Sequence, residues 1–253
     1  VMDLKGLLSL ESFTCWGNQV TAIDLSGCYN LRNVGCDKNP NLNSIDVSNC
    51  LLLGELWCND NERLTTVNIS NCTSLYRINA YNNNITALDV SGLTNLNTLI
   101  CAENQISSLN LSDCKNLGSI NSNDNKLTTL DVSNLKNLTS VACEDNQISS
   151  LNVSGCTSLE QIFCENNQIS LLDLSGLTAL LRIGCTNNDI KTLDIFDSSN
   201  LSQLYCKENP ITRIRLSKEP SIFEIDYWGD VDRDEYTEPV HKNGYQYPEF
   251  IYQ

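Results

Sequence analysis

Apolar and polar positions along the chain repeat in one frame, L-x-x-L-x-C-x-x-N-x-I-x-x-L-D-V-S, with a period of 21 or 22 residues. Leu96-x-x-Leu99-x-Cys101-x-x-Asn104-x-Ile106-x-x-Leu109-Asn110-Leu111-Ser112 is one copy. Full copies begin at Leu10, Leu31, Leu53, Leu75, Leu96, Leu117, Leu138, Leu159, Leu180 and Leu201, and another opens at Ile222 before the pattern fails. The fourth and sixth positions of each copy alternate as a strand does, with one face inward and the third, fifth and seventh positions outward. After the Asn, only about ten residues remain before the next copy, too few for a return helix with its connections. The pattern therefore predicts stacked coils, each with one short parallel strand and an extended or single 3₁₀-turn return, with few or no α-helices. The two 22-residue copies carry their extra residue at Asn39-Pro40-Asn41-Leu42 and Asn61-Glu62-Arg63-Leu64, where a surface turn tolerates it.

Placed in this frame, most of the repeating polar residues read as scaffold. Ten asparagines from Asn18 to Asn209 hold one position, where an amide can satisfy backbone donors and acceptors freed as each strand bends out of its ladder. The Asp or Asn of L-D-V-S is expected to bond backbone in the return turn. Of the thirteen cysteines, Cys15, Cys36, Cys58, Cys101, Cys143, Cys164, Cys185 and Cys206 share the strand core position with Ala80 and Ser122. Cys28, Cys50, Cys72, Cys114 and Cys156 share a return-side position with Leu93, Leu135 and Leu177. Exchange with Leu and Ala marks these thiols as small apolar side chains, expected to be free and buried.

Composition narrows the functional classes. Sixteen Lys+Arg against thirty-one Asp+Glu give a net charge of −15, which opposes binding to nucleic acid and to anionic membranes. No apolar run approaches the roughly 20 residues of a membrane span, so no membrane insertion is expected. The only histidine is His241, without a zinc-spaced partner, and no nucleophile motif accompanies it. No metal, cofactor or catalytic residue is expected.

The ten in-register copies resemble leucine-rich repeats, with Cys at the third apolar position. The 21-residue cysteine-containing form is similar to the internalin-like proteins of bacteria, nearest to the internalin J type. That resemblance implies a right-handed solenoid whose parallel sheet lines a concave face. It also implies an exported protein, secreted or displayed at a cell surface, that acts through that face.

Function is then expected where outward strand positions do not repeat. The fifth and seventh positions carry Trp16, Trp57, Tyr81 and Ile100 near the start, and Phe163, Gly184, Tyr205 and Trp228 near the end. Phe163 and Tyr205 flank Gly184, so a slot is expected between them. In the middle, Glu103, Asp124 and Asp145 hold the eighth position in successive coils, with Glu144 and Glu165 beside them, forming an acidic ridge that would favour a basic partner. The expected organisation is a repeat domain over 1–230, entered in mid-repeat because Met2–Leu10 aligns with Ile23–Leu31. Residues 231–253, with Tyr236, Tyr245, Tyr247, Phe250 and Tyr252, form a C-terminal cap or a linker. A native N-terminal cap and a secretion signal are expected to lie outside this chain. The reading is a non-enzymatic module for protein recognition, with glycan or cell-wall polymer binding through the aromatics, or a passive spacer, as alternatives.

Overall fold

The computed structural model describes residues 1–216 together with the strands Glu224–Asp226 and Glu249–Tyr252. It divides into two compact units, residues 1–131 and 132–253. Each is a parallel β-solenoid, and the described residues contain no α-helix. In the first unit, the strands Ser12–Thr14, Asn33–Gly35, Glu55–Trp57, Arg77–Asn79, Thr98–Ile100 and Ser119–Asn121 pair in parallel and in the register of the repeat. In the second, Ser140–Ala142, Gln161–Phe163, Arg182–Gly184, Gln203–Tyr205 and Glu224–Asp226 do the same.

One coil shows why the pattern folds this way. Leu31, Val34, Cys36, Leu42, Ile45, Val47 and Cys50 are all at most 1 % exposed, so every apolar position of the frame points into the coil. The return side turns twice in succession through bonds spanning three residues, Cys50 N to Val47 O (3.2 Å) and Leu53 N to Cys50 O (3.0 Å). The Asp of L-D-V-S sets up the first turn by accepting the Ser amide two residues on, as in Asp46 to Ser48 (2.8 Å) and Asp24 to Ser26 (2.9 Å). The extended return segment is more regular than the sequence suggests. Met2–Asp3, Ala22–Asp24, Ser44–Asp46 and Thr66–Asn68 pair into a second parallel sheet, the last three each presenting a buried Ile or Val between two outward residues.

The asparagine column bonds adjacent coils together. Asn104 Nδ2 donates to Cys101 O (3.2 Å) and Ala102 O (3.1 Å) of its own coil and to Ala80 O (2.8 Å) of the preceding one. Its Oδ1 accepts the Ile85 amide (3.0 Å). Where the coil is one residue longer the donor shifts: Asn61 Oδ1 takes Asn39 N (2.7 Å), and Asn83 Oδ1 takes Asn61 N (2.9 Å).

All thirteen cysteines are buried and unbridged. On the return side the thiols donate across coils, Cys50 Sγ to Leu25 O (3.2 Å) and Cys72 Sγ to Val47 O (3.0 Å), a weak bond that Leu at the same position forgoes. Ser198 takes that position in a later coil and donates to Leu177 O (3.0 Å). The expected boundary at 230/231 falls outside the described residues, as do His241 and the aromatics Tyr236, Tyr245 and Tyr247. Of residues 231–253 the strand Glu249–Tyr252 is described, pairing in parallel with Arg213–Leu216.

Two outcomes follow from the ladders. Asn104→Leu leaves the buried Ile85 amide without an acceptor, at roughly 1–3 kcal/mol, and takes one of two donors from the Ala80, Cys101 and Ala102 carbonyls, so it should lower the melting temperature by more than about 3 °C for a chain of this size. Asn84→Ser, at an exposed neighbour, should leave it unchanged; equal melting temperatures would show that the column is dispensable. Burial pushes the thiols of Cys50 and Cys114 up to about 11 and those of Cys72 and Cys101 up to about 12. A raised thiol pKa favours the folded state fully below the unfolded value of 9.0, and that contribution is lost as pH climbs through the folded values. Iodoacetamide at mildly alkaline pH should leave the native chain unlabelled and label thirteen thiols in denaturant without reductant, with stability falling only above about pH 9.

Candidate functional site

The outward positions of the first unit converge on Trp57. Its indole, at the end of Glu55–Trp57, donates through Nε1 to Glu55 Oε2 (3.2 Å), and the guanidinium of Arg77 lies over the ring at 5.8 Å from its centroid. Tyr76 completes the group by donating its hydroxyl to Glu55 Oε1 (2.7 Å). Its ring crosses the coil boundary because Gly54 lies beneath it: a Cβ there would meet Tyr76 Cε1 at 2.7 Å. Both oxygens of Glu55 are therefore engaged. The Tyr76 bond, then the Trp57 bond and the Arg77 charge, hold its carboxyl below the ordinary range. Two aromatic rings, an arginine and their shared carboxylate form a prearranged surface on rigid strands.

The other expected residues divide. Ile100 ends the strand beside Asn79, which in turn pairs with Trp57, so these three share one row of the sheet. Tyr81 does not join the Trp57 group; its hydroxyl donates to Glu103 Oε1 (2.7 Å) of the next coil. Trp16 stands apart, 67 % exposed. In the second unit Phe163, Gly184 and Tyr205 are in register, but the slot expected between the rings is occupied by the carboxyl of Glu165, which lies over Gly184. Glu144 holds the same position one coil earlier. Trp228 lies outside the described residues.

The acidic ridge has a conformational origin that the repeat frame alone does not reveal. Every residue of its column is left-handed: Gly17, Lys38, Asp60, Asn82, Glu103, Asp124, Asp145, Asn166, Asn187 and Glu208 have φ from 52 to 68°. The chain turns out of the strand here, and Asn and Asp are the side chains that best tolerate that backbone. The column is also hydrogen-bonded along its length, with Asn82 Nδ2 donating to Asp60 (2.9 Å) and Asn166 Nδ2 to Asp145 (2.9 Å). Much of its acidity thus serves the turn.

The sequence reading missed Glu55, Tyr76 and Arg77, and it missed a depression of about 290 Å³ on the return side of the second unit, lined in part by Leu171, Phe196, Asp194 and Arg215. Arg215 stacks on Phe196 (4.3 Å) and pairs with Asp194 (3.0 Å). A signal existed: Leu171 replaces the Ala, Ser or Thr of the seven preceding copies, and Phe196 replaces the Ser of eight. Among the described residues, no group of three or more His, Cys, Asp or Glu could hold a metal ion, and no helix is long and apolar enough to cross a membrane.

A carboxylate with a depressed pKa supports its contacts fully above the unfolded value and loses them as pH falls through the folded one. With Trp16→Phe and Trp228→Phe in place, Trp57 emission should change on acidification with a midpoint below 4.5, the reference for Glu55. Tyr76→Phe should move that midpoint upward; an unmoved midpoint would show that Tyr76 does not hold the carboxylate.

No family model matches the sequence, and no curated protein sequence is similar to it. Solved structures are. The functional domain of InlJ from Listeria monocytogenes, which includes a cysteine ladder, is 28% identical with a TM-score of 0.71 over 87% of this chain. This chain spans only 54% of that domain. A leucine-rich repeat protein of Leptospira interrogans is 24% identical, with a TM-score of 0.65 over 81% of this chain and 56% of its own. The internalin inlF of Listeria monocytogenes is 18% identical, with a TM-score of 0.55 over 89% of this chain and 88% of its own. The two lower identities speak for the fold alone, whereas the first shares repeat type and cysteine column. With its 21-residue frame, its stacked strands and its buried thiols in register, the chain is an internalin-like leucine-rich repeat protein with a cysteine ladder.

Proposed function

We propose that the chain is a non-enzymatic recognition module of a secreted or surface-displayed bacterial protein, binding a protein partner through outward-facing strand residues of its repeats. The observation that carries this reading is the Trp57, Arg77, Tyr76 and Glu55 group. Trp, Tyr and Arg are the residues that most often dominate protein interfaces, and they do so best when held in place before the partner arrives. Here both oxygens of Glu55 are bonded, to Trp57 and Tyr76, and Arg77 lies over the Trp57 ring, so little side-chain freedom remains to be lost on binding. The similar InlJ structure is of a functional domain that includes a cysteine ladder, which supports placing function in repeats of this type.

The net charge of −15 argues against a phosphate backbone as ligand and for a partner of basic character. Glycan binding has one observation in its favour, the open ring of Trp16, but a single ring offers a sugar one stacking face alone.

The test compares the wild-type chain with Trp57→Ala plus Arg77→Ala. Both are immobilised, exposed to an extract of extracellular proteins, and read by quantitative mass spectrometry, with a glycan array in parallel. Both side chains point outward, so the double variant should keep its melting temperature within about 2 °C. At least one protein should be enriched tenfold or more by the wild type over the variant. Equal retention by both chains would overturn the assignment of this face, and ligands found on the glycan array alone would replace it with polymer binding.

A further inference from the structure

The slot of the second unit contains an unusual carboxyl. Phe163, Gly184 and Tyr205 end three paired strands, so the two rings leave the sheet roughly 9.6 Å apart, twice the strand spacing, with nothing between them on Gly184. The side chain of Glu165 enters that gap from the coil of Phe163. A Cβ on Gly184 would collide with its carboxyl, lying 2.6 Å from Cδ and 3.0 Å from Oε2. Gly184 is buried although it faces outward, and Glu165 Oε2 is sealed from solvent and accepts no hydrogen bond.

No cationic group is set against Glu165. The preceding coil presents Glu144 and Asp145, and the thiols of Cys164 and Cys185 lie beneath. Burial foremost, with Glu144 and Asp145 adding to it, outweighs the backbone amides of Glu165 and Cys164 and pushes its carboxyl up to about 7. An enclosed acid that lacks a partner is costly to ionise and attracts a cation. The geometry also says which cation. Two carboxylates on parallel strand positions do not converge the six or more oxygens that Ca²⁺ takes, whereas aromatic walls beside one carboxylate suit an ammonium or guanidinium on an aliphatic stem.

We propose that the slot above Gly184 receives a lysine or arginine side chain of a protein partner, with Glu165 as its counter-ion and Phe163 and Tyr205 as its walls. This rests on the reading of the sheet face as a protein-binding surface, and it adds the chemistry of one contact. The entering cation replaces Glu165's proton, so binding near neutral pH releases a proton to solvent.

An octalysine peptide is the probe, measured by calorimetry at low salt in buffers of different ionisation enthalpy. The comparison sets Glu165→Gln against Asp173→Asn, which removes the same charge from an exposed site on the return side of the same unit. Glu165→Gln should weaken binding tenfold or more and abolish the buffer-dependent heat, and Asp173→Asn should change affinity less than twofold. Equal losses would overturn the proposal, leaving only the general field of an acidic chain. Ca²⁺ at millimolar concentration should not compete beyond its ionic strength; specific competition would make the site a metal site instead. Gly184→Ala provides a second route independent of Glu165 itself. Its methyl should evict the carboxyl, move the Glu165 titration seen by carbon-13 NMR from near 7 towards 4.5, the reference value, and weaken the peptide likewise. An unmoved titration would refute the packing on which the slot depends. Failure here leaves the Trp57 variants and their protein partners untouched, because those are read in the other unit with another ligand.

Discussion

Each coil must turn out of its strand without leaving a buried carbonyl unpaired, and one asparagine per coil does this for two coils at once. The carbonyl at the strand's end receives an amide from its own coil and another from the next: Cys101 O takes Asn104 (3.2 Å) and Asn125 (2.9 Å), and Cys185 O takes Asn188 (3.1 Å) and Asn209 (2.8 Å). The same side chain returns an acceptor to the backbone of the coil before it, as Asn188 does for Ile169 N (2.9 Å). A shift of one residue between coils would break two bonds for every asparagine moved off its partner, as for Asn104 with Ala80 O and Ile85 N. Register is therefore fixed by polar groups inside the coil, while the apolar positions supply the bulk of the burial. The left-handed residue just before each asparagine belongs to the same bend, so the column that looks acidic from outside is tied to the column that is buried.

Fixed register has a further consequence. Every side chain lies about 4.8 Å from its counterparts in the adjacent coils, so whatever occupies a position must tolerate its own kind as a neighbour. Thiols do: they are small, uncharged when buried and able to donate weakly to a carbonyl, as Cys156 does to Val132 O (2.9 Å). Amides do better, since each is donor and acceptor, and Asn187 donates to Asn166 in the outer column (2.9 Å). Carboxylates do not. Where two of them align inward-leaning, as Glu144 and Glu165 do, one is held neutral over a wide pH range and no repeat-building purpose is served.

The scaffold was legible in the sequence because it is written ten times. Strands, asparagines, buried thiols and the absence of helices all follow from positions that recur, and the exchange of Cys with Leu or Ala discloses an apolar environment without any coordinates. The candidate sites were legible only as columns. A register places Trp57 and Tyr81 on the same face, but it does not show that Trp57 turns to Glu55 and Arg77 while Tyr81 turns to Glu103. Long side chains choose among neighbours one coil away, and that choice depends on gaps such as Gly54, which admits Tyr76, and Gly184, which admits Glu165. The second sheet was missed for a different reason: its segments read as an extended return, and extended chain does not by itself disclose that it pairs with the same segment of the next coil.

The two units spend their outward chemistry in opposite ways. At Trp57 the carboxylate of Glu55 is matched within the chain by the Trp57 and Tyr76 donors, so a partner gains mainly by covering rings and the stem of Arg77; such a contact resists salt and changes little with pH. At Gly184 the chain leaves a carboxyl enclosed and unmatched. A contact there is strong only with a cation and only where Glu165 can give up its proton, which makes it sensitive to salt and to pH near neutrality. A scaffold held together by hydrogen-bond columns can carry both, because neither the matched group nor the unmatched one takes part in holding the coils in register. Side chains can then vary coil by coil at the third, fifth and seventh positions, because the asparagine ladder on which the fold rests bonds only backbone there.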